Sequence, residues 1–405
     1  MRKLLMKAGV PFVAGGLVLS GIGGVAFAGA SVHANKAAIH TYKIAYEGPL
    51  SGGNAQLGLN MVYSVELAIA QWNAKKGDAF HLSIQKLDDQ GDPTKSPGQA
   101  TLAVSSAKTL AVVGPAFSGA TLAAQAVYGP AHMPLVSPSA TNALLITPAE
   151  NPDHNFFRVV ADDGVQGPAD ATYVVSKLGI KNVYVVNDGS TYGSGLAAQF
   201  AATAKGAGAT VTTNTADGTT GCTAGTGSPT EYAPLAATIA GGSSKLVFYG
   251  GYYCDFALLT AALRGAGYTG KLMSGDGSDD PHYVSETSPK SDANGTYLTC
   301  ACSAIGNTAV DKAFTKGFKK YSKGVAPGTY SPESYDAANT IIQAMVNTLK
   351  AHKPLTRANI VAQLHKITFN GLTKKIHFLS DGNIAGSAIY ANQVQNGVIV
   401  QLGLE

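Results

Sequence analysis

The chain has 405 residues, of which 45% are hydrophobic and 13% are charged. This is the composition of a globular protein and not of a disordered one, and the length is sufficient for two hydrophobic cores. Three basic residues lie among the first seven, and without them the 29 basic residues become 26, against 25 acidic ones. Such a balanced charge argues against a nucleic-acid-binding protein.

The N-terminus has the features of a secretory signal peptide. A basic start is followed by an uncharged run from Ala8 to Ala30, which ends in small residues. We therefore predict a signal peptide and a short tail over residues 1–34, cleaved after Ala28, Ala30 or Ala34, and export to the periplasm or the cell exterior. The alternative is an uncleaved membrane anchor, which the proline and the seven glycines of this run disfavour.

Strands and helices alternate in the first block of predicted elements. A strand over Tyr42–Tyr46 leads through a glycine-rich turn into a helix over Met61–Lys75, and a second strand covers His81–Leu87. Asp92 before Pro93 predicts the N-cap of a further helix. This order of elements is typical of a parallel sheet covered by helices.

The stretch from Val112 to Asn142 is predicted to bind a small anion. A buried strand is followed by Ser118 near the start of a helix of small residues, and a second strand is followed by Ser139, Ala140 and Thr141 at another predicted helix start. Helix N-termini have unpaired N–H groups and a partial positive charge, so two of them side by side suit a carboxylate. The alternative is that the serines only cap their helices.

A second block of alternating elements begins at Gly167. Its predicted helices cover 167–178, 196–205, 232–239 and 256–264, and its predicted strands cover 182–186, 210–213, 245–249 and 272–274. Parallel sheets bind ligands beyond the carboxyl ends of their strands. In this block, that rule selects the loops that hold Tyr192, Tyr252 and Asp276.

The predicted fold is of the α/β class, with two Rossmann-like lobes whose parallel sheets are joined by a multi-strand hinge. The first lobe is expected to contain residues 41–161 and 303–385, and the second lobe residues 162–302 and 386–405. A strand over Tyr297–Cys302 is predicted to return the chain to the first lobe. The remaining predictions are helices over 310–321, 332–349 and 356–367 and hairpin strands around Gly382 and Gly397.

The chain has four cysteines, Cys222, Cys254, Cys300 and Cys302. An even number in an exported chain favours disulfides. A bridge between Cys300 and Cys302 would be strained across a strand, so the expected pairing is Cys222 with Cys254, or Cys254 with one of the other two. The alternative of a zinc site has no CxxC pair or histidine cluster to support it, and we expect neither a metal nor a cofactor.

The loops and their order give the chain a resemblance to a known family. It resembles the leucine/isoleucine/valine-binding proteins, which are type I periplasmic binding proteins of ABC importers. The motifs that carry the resemblance span nearly all of the chain after the N-terminal segment: PLSGGNAQLG, LDDQGDP, VVGPAFSGAT, PLVSPSAT, DGSTYGSGL, FYGGYY, MSGD and FLSDGN. Each motif is weak alone, but together and in this order they are specific for the family.

The resemblance implies a site for an amino acid between the lobes. In the first lobe, Ser118 and Thr141 would bind the ligand carboxylate, with help from the backbone of Ser139 and Ala140. The ligand ammonium would contact the Ala140 carbonyl, the Thr141 hydroxyl and an acid, which in this chain is Asp276.

The resemblance also implies which residues of the site are unusual. Tyr192 and Tyr252 match the pocket tyrosines of the second lobe. Asp276 is one methylene shorter than the glutamate of the family. Leu57 stands where amino-acid binders often have an aromatic residue, and Tyr330 stands where the family has phenylalanine. These departures from the family pattern affect which ligand the cleft would bind.

The resemblance therefore implies a monomeric substrate-binding protein that captures a branched-chain or other neutral amino acid and delivers it to an ABC permease. Two alternatives stay open: the ligand is a small carboxylate without an amine, or the protein senses a ligand and does not import it. An enzyme is not expected, because the chain has no GxSxG elbow and no histidine placed to complete a catalytic triad.

Overall fold

Two open β-sheets, each built around parallel strands, form the centre of the fold in the computed structural model. The structure describes residues 40–75, 79–216, 228–302, 304–386 and 388–404. The predicted signal peptide and tail, residues 1–34, lie outside these ranges. Within them, no helix combines the length and the apolar character that crossing a membrane requires.

The first sheet consists of five parallel strands. They are β1 (Thr41–Gly48), β2 (His81–Asp88), β3 (Thr109–Val113), β4 (Leu135–Ser137) and β5 (Phe156–Arg158). Their order across the sheet is β2-β1-β3-β4-β5. Every residue of β3, β4 and β5 is buried, as expected for parallel strands that have helices on both faces of the sheet.

The second sheet has five parallel strands and an antiparallel hairpin at one edge. Its strands are β6 (Asn182–Asn187), β7 (Thr210–Thr215), β8 (Leu246–Gly250), β9 (Lys271–Ser274), β10 (Tyr297–Cys300), β13 (Tyr390–Gln395) and β14 (Val398–Leu404). Their order is β14-β13-β10-β9-β8-β6-β7. The hairpin of β13 and β14 pairs antiparallel with β10. Two short strands, β11 (Thr368–Asn370) and β12 (Lys375–His377), form a separate ladder.

Helices connect the strands and cover both sheets. In chain order they are α1 (Ala55–Asn73), α2 (Ser96–Val104), α3 (Ser118–Tyr128), α4 (Asp163–Thr172), α5 (Thr191–Gly206), α6 (Ala233–Ala240), α7 (Tyr253–Gly265), α8 (Pro281–Glu286), α9 (Ala309–Tyr321), α10 (Ser331–Lys350) and α11 (Arg357–Leu364). Helices α9 and α10 come late in the chain but pack against α1, beside the first sheet.

The chain passes between the two sheets three times, after β5, after β10 and before β13. The expected α/β fold with two parallel-sheet lobes is therefore confirmed. The exact residues at which one lobe ends and the other begins stay a prediction.

One predicted helix start is wrong, and another begins with a turn. The segment after Thr141 forms only a 3₁₀ turn over Ala143–Ile146, because Pro148 follows closely and disfavours helical backbone at the residue before it. The Asp92 carboxylate accepts hydrogen bonds from the N–H and the hydroxyl of Thr94, at 2.8 and 2.7 Å, and its carbonyl accepts from the N–H groups of Lys95 and Ser96. Asp92 therefore caps the turn over residues 93–95 that leads into α2 at Ser96.

The expectation for the cysteines is also wrong in part, because Cys300 and Cys302 form a disulfide with each other. β10 ends at Cys300 and the backbone then bends, which brings the two Cα atoms to 4.9 Å, closer together than residues i and i+2 of an extended strand. This bridge excludes a pairing of Cys254 with either of them. Cys222 lies outside the described residues, so its pairing with Cys254 stays a prediction.

A cluster of buried acids lies beneath the end of β1. Glu47 is fully buried, and its carboxyl accepts hydrogen bonds from the hydroxyls of Ser96 and Tyr128. Burial raises the pKa of Glu47 to about 8, and burial likewise raises the pKa of Asp89, which follows β2, to about 7. Both groups therefore hold a proton in the folded protein at a pH where the unfolded chain has lost it.

We expect Glu47→Gln to weaken the pH dependence of stability. A carboxyl whose pKa is raised by folding stabilises the fold below its unfolded pKa, and this stabilisation is lost as the pH rises through the folded value. The Tm of the wild type should therefore fall between about pH 5 and pH 8, and the fall should be shallower in Glu47→Gln. Thermal unfolding at several pH values in this range measures it.

Asp88→Asn is the control for this prediction. Burial raises the pKa of Asp88, but hydrogen bonds from Ser51 and from backbone N–H groups outweigh burial and lower it. Removing this carboxyl should therefore leave the fall in Tm at least as steep as in the wild type. A Glu47→Gln protein with the wild-type slope would contradict the prediction.

Candidate ligand-binding cleft

Loops from both sheets enclose a small cavity. These loops follow the carboxyl ends of β1, β3, β4, β6, β8 and β9, as the rule for parallel sheets predicts. Seven of the predicted ligand-binding residues line the cavity: Leu57, Ser118, Ser139, Tyr192, Tyr252, Asp276 and Tyr330. Sequence reasoning missed four further lining residues: Met61, Ala116, Phe117 and Gly277.

The first lobe presents hydroxyls and a helix N-terminus to the cavity. α3 begins at Ser118, and the N–H groups in the first turn of a helix have no partner within the helix. The Ser118 hydroxyl oxygen accepts a hydrogen bond from the Asn142 N–H at 3.2 Å. The Ser139 hydroxyl donates to the Ala116 carbonyl at 2.7 Å. This side of the cleft is therefore rich in hydrogen-bond donors and has no carboxylate among the lining residues.

The other two predicted residues of the first lobe, Ala140 and Thr141, are buried next to the cavity but do not line it. The Ala140 N–H donates to the Ser137 hydroxyl at 3.0 Å, and the Ala140 carbonyl accepts from the Arg158 guanidinium at 3.2 Å. Both backbone groups of Ala140 thus have partners in the protein. The Thr141 hydroxyl is fully buried and lies beside the Asp163 carboxyl.

The second lobe presents one carboxylate, held by two phenols. The Tyr192 hydroxyl donates to Asp276 at 2.8 Å and accepts from the Gly277 N–H at 2.9 Å. The Tyr330 hydroxyl donates to the other oxygen of Asp276. Asp276 is only 2% exposed, and burial raises its pKa. This carboxylate is therefore an acceptor with a fixed orientation in a nearly dry cleft.

Backbone geometry keeps this arrangement in place. A Cβ on Gly277 would lie 2.6 Å from the Tyr192 ring and 2.8 Å from the Gly251 carbonyl, so no side chain fits there. Tyr330 lies at the start of α10 with φ 63° and ψ 4°. This left-handed conformation is unfavourable for a bulky residue, and it is typical of positions where function requires a particular side-chain direction.

Aromatic rings from the two lobes meet across the cleft. The Phe117 ring, which follows β3, stacks on the Tyr252 ring, which follows β8, with centroids 4.2 Å apart and planes at 19°. Tyr192 also contacts Tyr252, at 5.2 Å between centroids. The position of Phe117 directly before Ser118, at the predicted helix start, was a signal that it could line the site. A phenylalanine at this position is equally suited to the hydrophobic core, so the signal was not decisive.

Hydrogen bonds at the edges of the cleft also join the lobes. The Asn142 side chain donates to the Thr191 carbonyl at 2.6 Å, and the Tyr253 hydroxyl donates to the Gly53 carbonyl at 2.7 Å. The Asn60 side chain donates to Asp280 at 3.0 Å. The two lobes are therefore closed upon each other in this structure.

We expect Tyr252→Ala to destabilise the closed protein. The stacked ring pair contributes about 0.5–1.5 kcal/mol beyond its buried area, so the free energy of unfolding should fall by at least about this amount. Tyr252→Phe keeps the stack and should leave the stability nearly unchanged. Urea unfolding of both variants compares them, and equal losses would show that the hydroxyl, and not the stack, is important.

Arg158 is a structural residue of the site that sequence reasoning missed. Its side chain is fully buried and donates to the carbonyls of Ala140 and Asn142, to the Asn383 side chain and, at 3.1 Å, to the Asp162 carboxylate. Burial lowers the pKa of the guanidinium, and Asp162 opposes this effect. A single arginine inside the apolar run Phe156–Val160 was the available signal, since a buried charge requires partners.

Comparison with known proteins places the chain among binding proteins. A family model described as periplasmic binding protein matches residues 41–398. The chain is 26% identical over 320 residues to an amino acid binding protein of Pseudomonas aeruginosa, covering 78% of this chain and 80% of that protein. It is 31% identical over 246 residues to the Leu/Ile/Val-binding protein of Citrobacter freundii, covering 60% and 63%.

Solved structures agree on the fold. The branched-chain amino acid transporter substrate-binding protein LivJ of Streptococcus pneumoniae, in complex with isoleucine, has a TM-score of 0.77 at 26% identity, covering 90% of this chain and 99% of that one. A solute-binding protein of R. palustris in complex with benzoate has a TM-score of 0.76 at 20% identity, covering 90% and 96%. The matched family is one of binding proteins, which confirms the prediction that this chain is not an enzyme.

Proposed function

The chain belongs to the periplasmic binding protein family, as its motifs predicted, and from this we propose that it captures a neutral amino acid for an ABC transporter. In this proposal the ligand is a branched-chain or other neutral amino acid. The protein is exported by the predicted signal peptide, acts as a monomer and delivers the ligand to a permease in the membrane.

The distribution of charge in the cleft is the observation that carries this proposal. An N-terminus of a helix and the Ser118 hydroxyl lie on one side, and the buried Asp276 carboxylate lies on the other. The helix N-terminus favours an anion, whereas the carboxylate favours a cation. A zwitterion such as an amino acid satisfies both sides at once.

The remaining lining residues suit an apolar side chain. Leu57, Met61, Ala116 and Phe117 together form an apolar wall. The Tyr330 hydroxyl, which distinguishes this chain from the phenylalanine of the family, donates to Asp276. Because this hydroxyl already has a partner, it does not offer an unpaired polar group to the side chain of the ligand. The pocket therefore favours a branched-chain amino acid over a polar one.

In this proposal the ligand binds to the first lobe, and hinge closure then brings the second lobe over it. Ser118 and α3 would hold the carboxylate, and closure would add Tyr192, Tyr252 and Asp276. Charge-assisted hydrogen bonds contribute about 1.5–3 kcal/mol each. Four or five of them support micromolar affinity, about −8 kcal/mol, once the entropic cost of closure is subtracted.

Isothermal titration calorimetry with the common amino acids tests the proposal. The protein is first unfolded and refolded to remove any ligand that purifies with it, and mass spectrometry identifies that ligand. We expect leucine, isoleucine or valine to bind at micromolar concentration, and a bound ligand at a hundred times its Kd to stabilise the fold by about 2.7 kcal/mol. Binding of benzoate or 4-methylpentanoate in place of every amino acid would favour the amine-free alternative.

The sensor alternative requires a different observation. An import carrier needs a permease and an ATPase, so their genes should lie beside the gene for this chain. ATP-dependent uptake of the bound amino acid by vesicles that contain this permease would support import. Binding without uptake would favour a sensor.

A further inference from the structure

A cluster of two cysteines and an aspartate lies at the end of β10, where the chain passes between the sheets for the second time. Cys300 is the last residue of β10, and Cys302 follows two residues later. Asp279 comes from the neighbouring strand, because it follows β9 after a single 3₁₀ turn, and β9 lies beside β10 in the sheet. All three side chains are buried, and none of them lines the ligand-binding cleft.

The Asp279 carboxylate is held in one orientation but uses only one of its oxygens. That oxygen accepts a hydrogen bond from the Asn392 side chain at 2.9 Å, and the backbone carbonyl of Asp279 accepts one from the Thr329 hydroxyl. The other carboxylate oxygen is buried and has no hydrogen-bond partner among the described residues. A buried carboxylate oxygen without a partner is costly, and a cation bound beside it would remove this cost.

The Asp279 carboxylate lies beside the two sulfur atoms. One of its oxygens and the Sγ atoms of Cys300 and Cys302 all lie within 4.8 Å of one another. In a zinc site the Zn–S and Zn–O distances are about 2.3 and 2.0–2.2 Å, so the ligand atoms of one ion lie about 3.5–4 Å apart. Small side-chain rotations would bring the three groups to these distances. The sequence pattern did not reveal this set, because Asp279 lies beyond a different strand.

An open pocket gives access to the cluster from solvent. Cys302 and Asp279 both line it, together with Thr329, Asn392 and Gln401. None of the residues that line this pocket lines the ligand-binding cleft. A small reductant or a metal ion can therefore reach Cys302 and Asp279 without entering the cleft. The pocket also leaves room for water as the fourth ligand of a tetrahedral ion.

We propose that reduction of the Cys300–Cys302 disulfide converts this cluster into a binding site for a thiophilic divalent cation such as Zn²⁺. Both thiolates and the free oxygen of Asp279 are its protein ligands, and Asn392 orients the carboxylate through its other oxygen. The disulfide and the metal exclude each other, because each requires the same two sulfur atoms. The site is therefore controlled by the redox state of the protein, whichever ligand the cleft binds.

The conversion has two steps, reduction of the disulfide and binding of the metal. Two thiol groups of a small reductant supply two electrons and two protons and become a disulfide, while the Cys300–Cys302 bond breaks and gives two thiols. Zn²⁺ then displaces the two thiol protons to solvent as two Zn–S bonds and one Zn–O bond form. An oxidant that takes two electrons from the thiolates rebuilds the disulfide and releases the ion.

Zinc binding by the reduced and the oxidised protein tests this proposal. The disulfide is reduced with a phosphine, which takes up oxygen from water and becomes the phosphine oxide. Uptake of Zn²⁺ is then measured by competition with a chromophoric chelator, and we expect one ion per chain in the reduced protein and none in the oxidised protein. Co²⁺ in place of Zn²⁺ should give a sulfur-to-cobalt charge-transfer band, which reports thiolate ligands directly. Equal uptake in the two redox states, or no uptake by the reduced protein, would overturn the proposal.

Two variants assign the ligands. Cys300→Ser combined with Cys302→Ser removes both sulfur ligands but keeps the other two cysteines, and it should lose both the zinc and the cobalt band. Asp279→Asn keeps the shape of the side chain and should weaken zinc binding at least about tenfold. Because Asp279 is near the cysteines only in the folded chain, this loss would also show that the folded protein binds the ion. Glu66→Gln on α1 is the charge control and should leave the affinity unchanged. Uptake that persists in the double serine variant, or an unchanged affinity in Asp279→Asn, would overturn the site.

Alkylation of the wild type gives an answer even if these variants fail to fold. In the reduced protein, Zn²⁺ should slow the reaction of Cys300 and Cys302 with iodoacetamide and leave the other two cysteines unprotected. Mass spectrometry of the peptides compares the four residues. Equal protection of all four cysteines, or of none, would overturn the proposal.

Discussion

Arg158→Met should lower the free energy of unfolding by about 3–5 kcal/mol, because it removes the buried cation of an ion pair together with its hydrogen bonds to buried carbonyls. The guanidinium donates to the Ala140 and Asn142 carbonyls, to Asn383 and to Asp162. Without it, Asp162 keeps the hydrogen bond from Asn383 but loses its charged partner, and the carbonyls of Ala140 and Asn142 each lose a donor in a region with little access to water. Urea unfolding of the ligand-free protein measures this loss.

Arg357→Met is the matched control for this prediction. Arg357 also donates to backbone carbonyls, those of Val104, Ser106 and Thr109, but it has no carboxylate partner in the described part of the chain and does not line the cleft. We expect a smaller loss of stability and an unchanged ligand affinity in this variant. If both arginine variants lost the same stability, the ion pair with Asp162 would not be the reason for the importance of Arg158.

Asp276→Ala should weaken the binding of an amino acid by about a hundredfold, because a charge-assisted bond to the ligand ammonium is lost in a dry cleft. Asp276 is buried and receives hydrogen bonds from Tyr192 and Tyr330, so its carboxylate is held in one orientation before the ligand arrives. An acid without an amine should lose little or should bind more tightly, because a repulsive charge is removed. Calorimetry with leucine and 4-methylpentanoate compares the two ligands.

Tyr330→Phe is a milder variant with which Asp276→Ala can be compared. It removes one of the two hydrogen bonds that orient the carboxylate but keeps the charge, so the affinity for leucine should fall by less than about tenfold. Equal losses for both ligands in Asp276→Ala would remove Asp276 from the ammonium site and leave it only a structural role.

The parts of the site that the sequence predicted lie at strand ends. The alternation of apolar strands and helices predicted parallel sheets, and such sheets collect ligands at the carboxyl ends of their strands. Ser118, Ser139, Tyr192, Tyr252 and Asp276 were found by this rule, and all five line one cavity. Each follows its own strand closely, so local pattern was enough to place it.

Other features depend on residues that are far apart in the chain, and only the tertiary structure decided them. Tyr330 forms a hydrogen bond with Asp276, which is 54 residues away in the sequence, and Arg158 forms one with Asn383, which is 225 residues away. No periodicity or motif spacing encodes which buried polar groups find partners.

The sequence by itself determined the class of the fold, the order of its elements and the family, because these depend on apolar periodicity and on short motifs in a linear order. The tertiary structure decided that Cys300 pairs with Cys302, that the helix predicted after Thr141 is a single 3₁₀ turn, and that the Ala140 carbonyl already has a donor. The reason is physical: local propensity acts over a few residues, whereas the hydrogen bonds and charges of a closed cleft are shared among segments that only folding brings together.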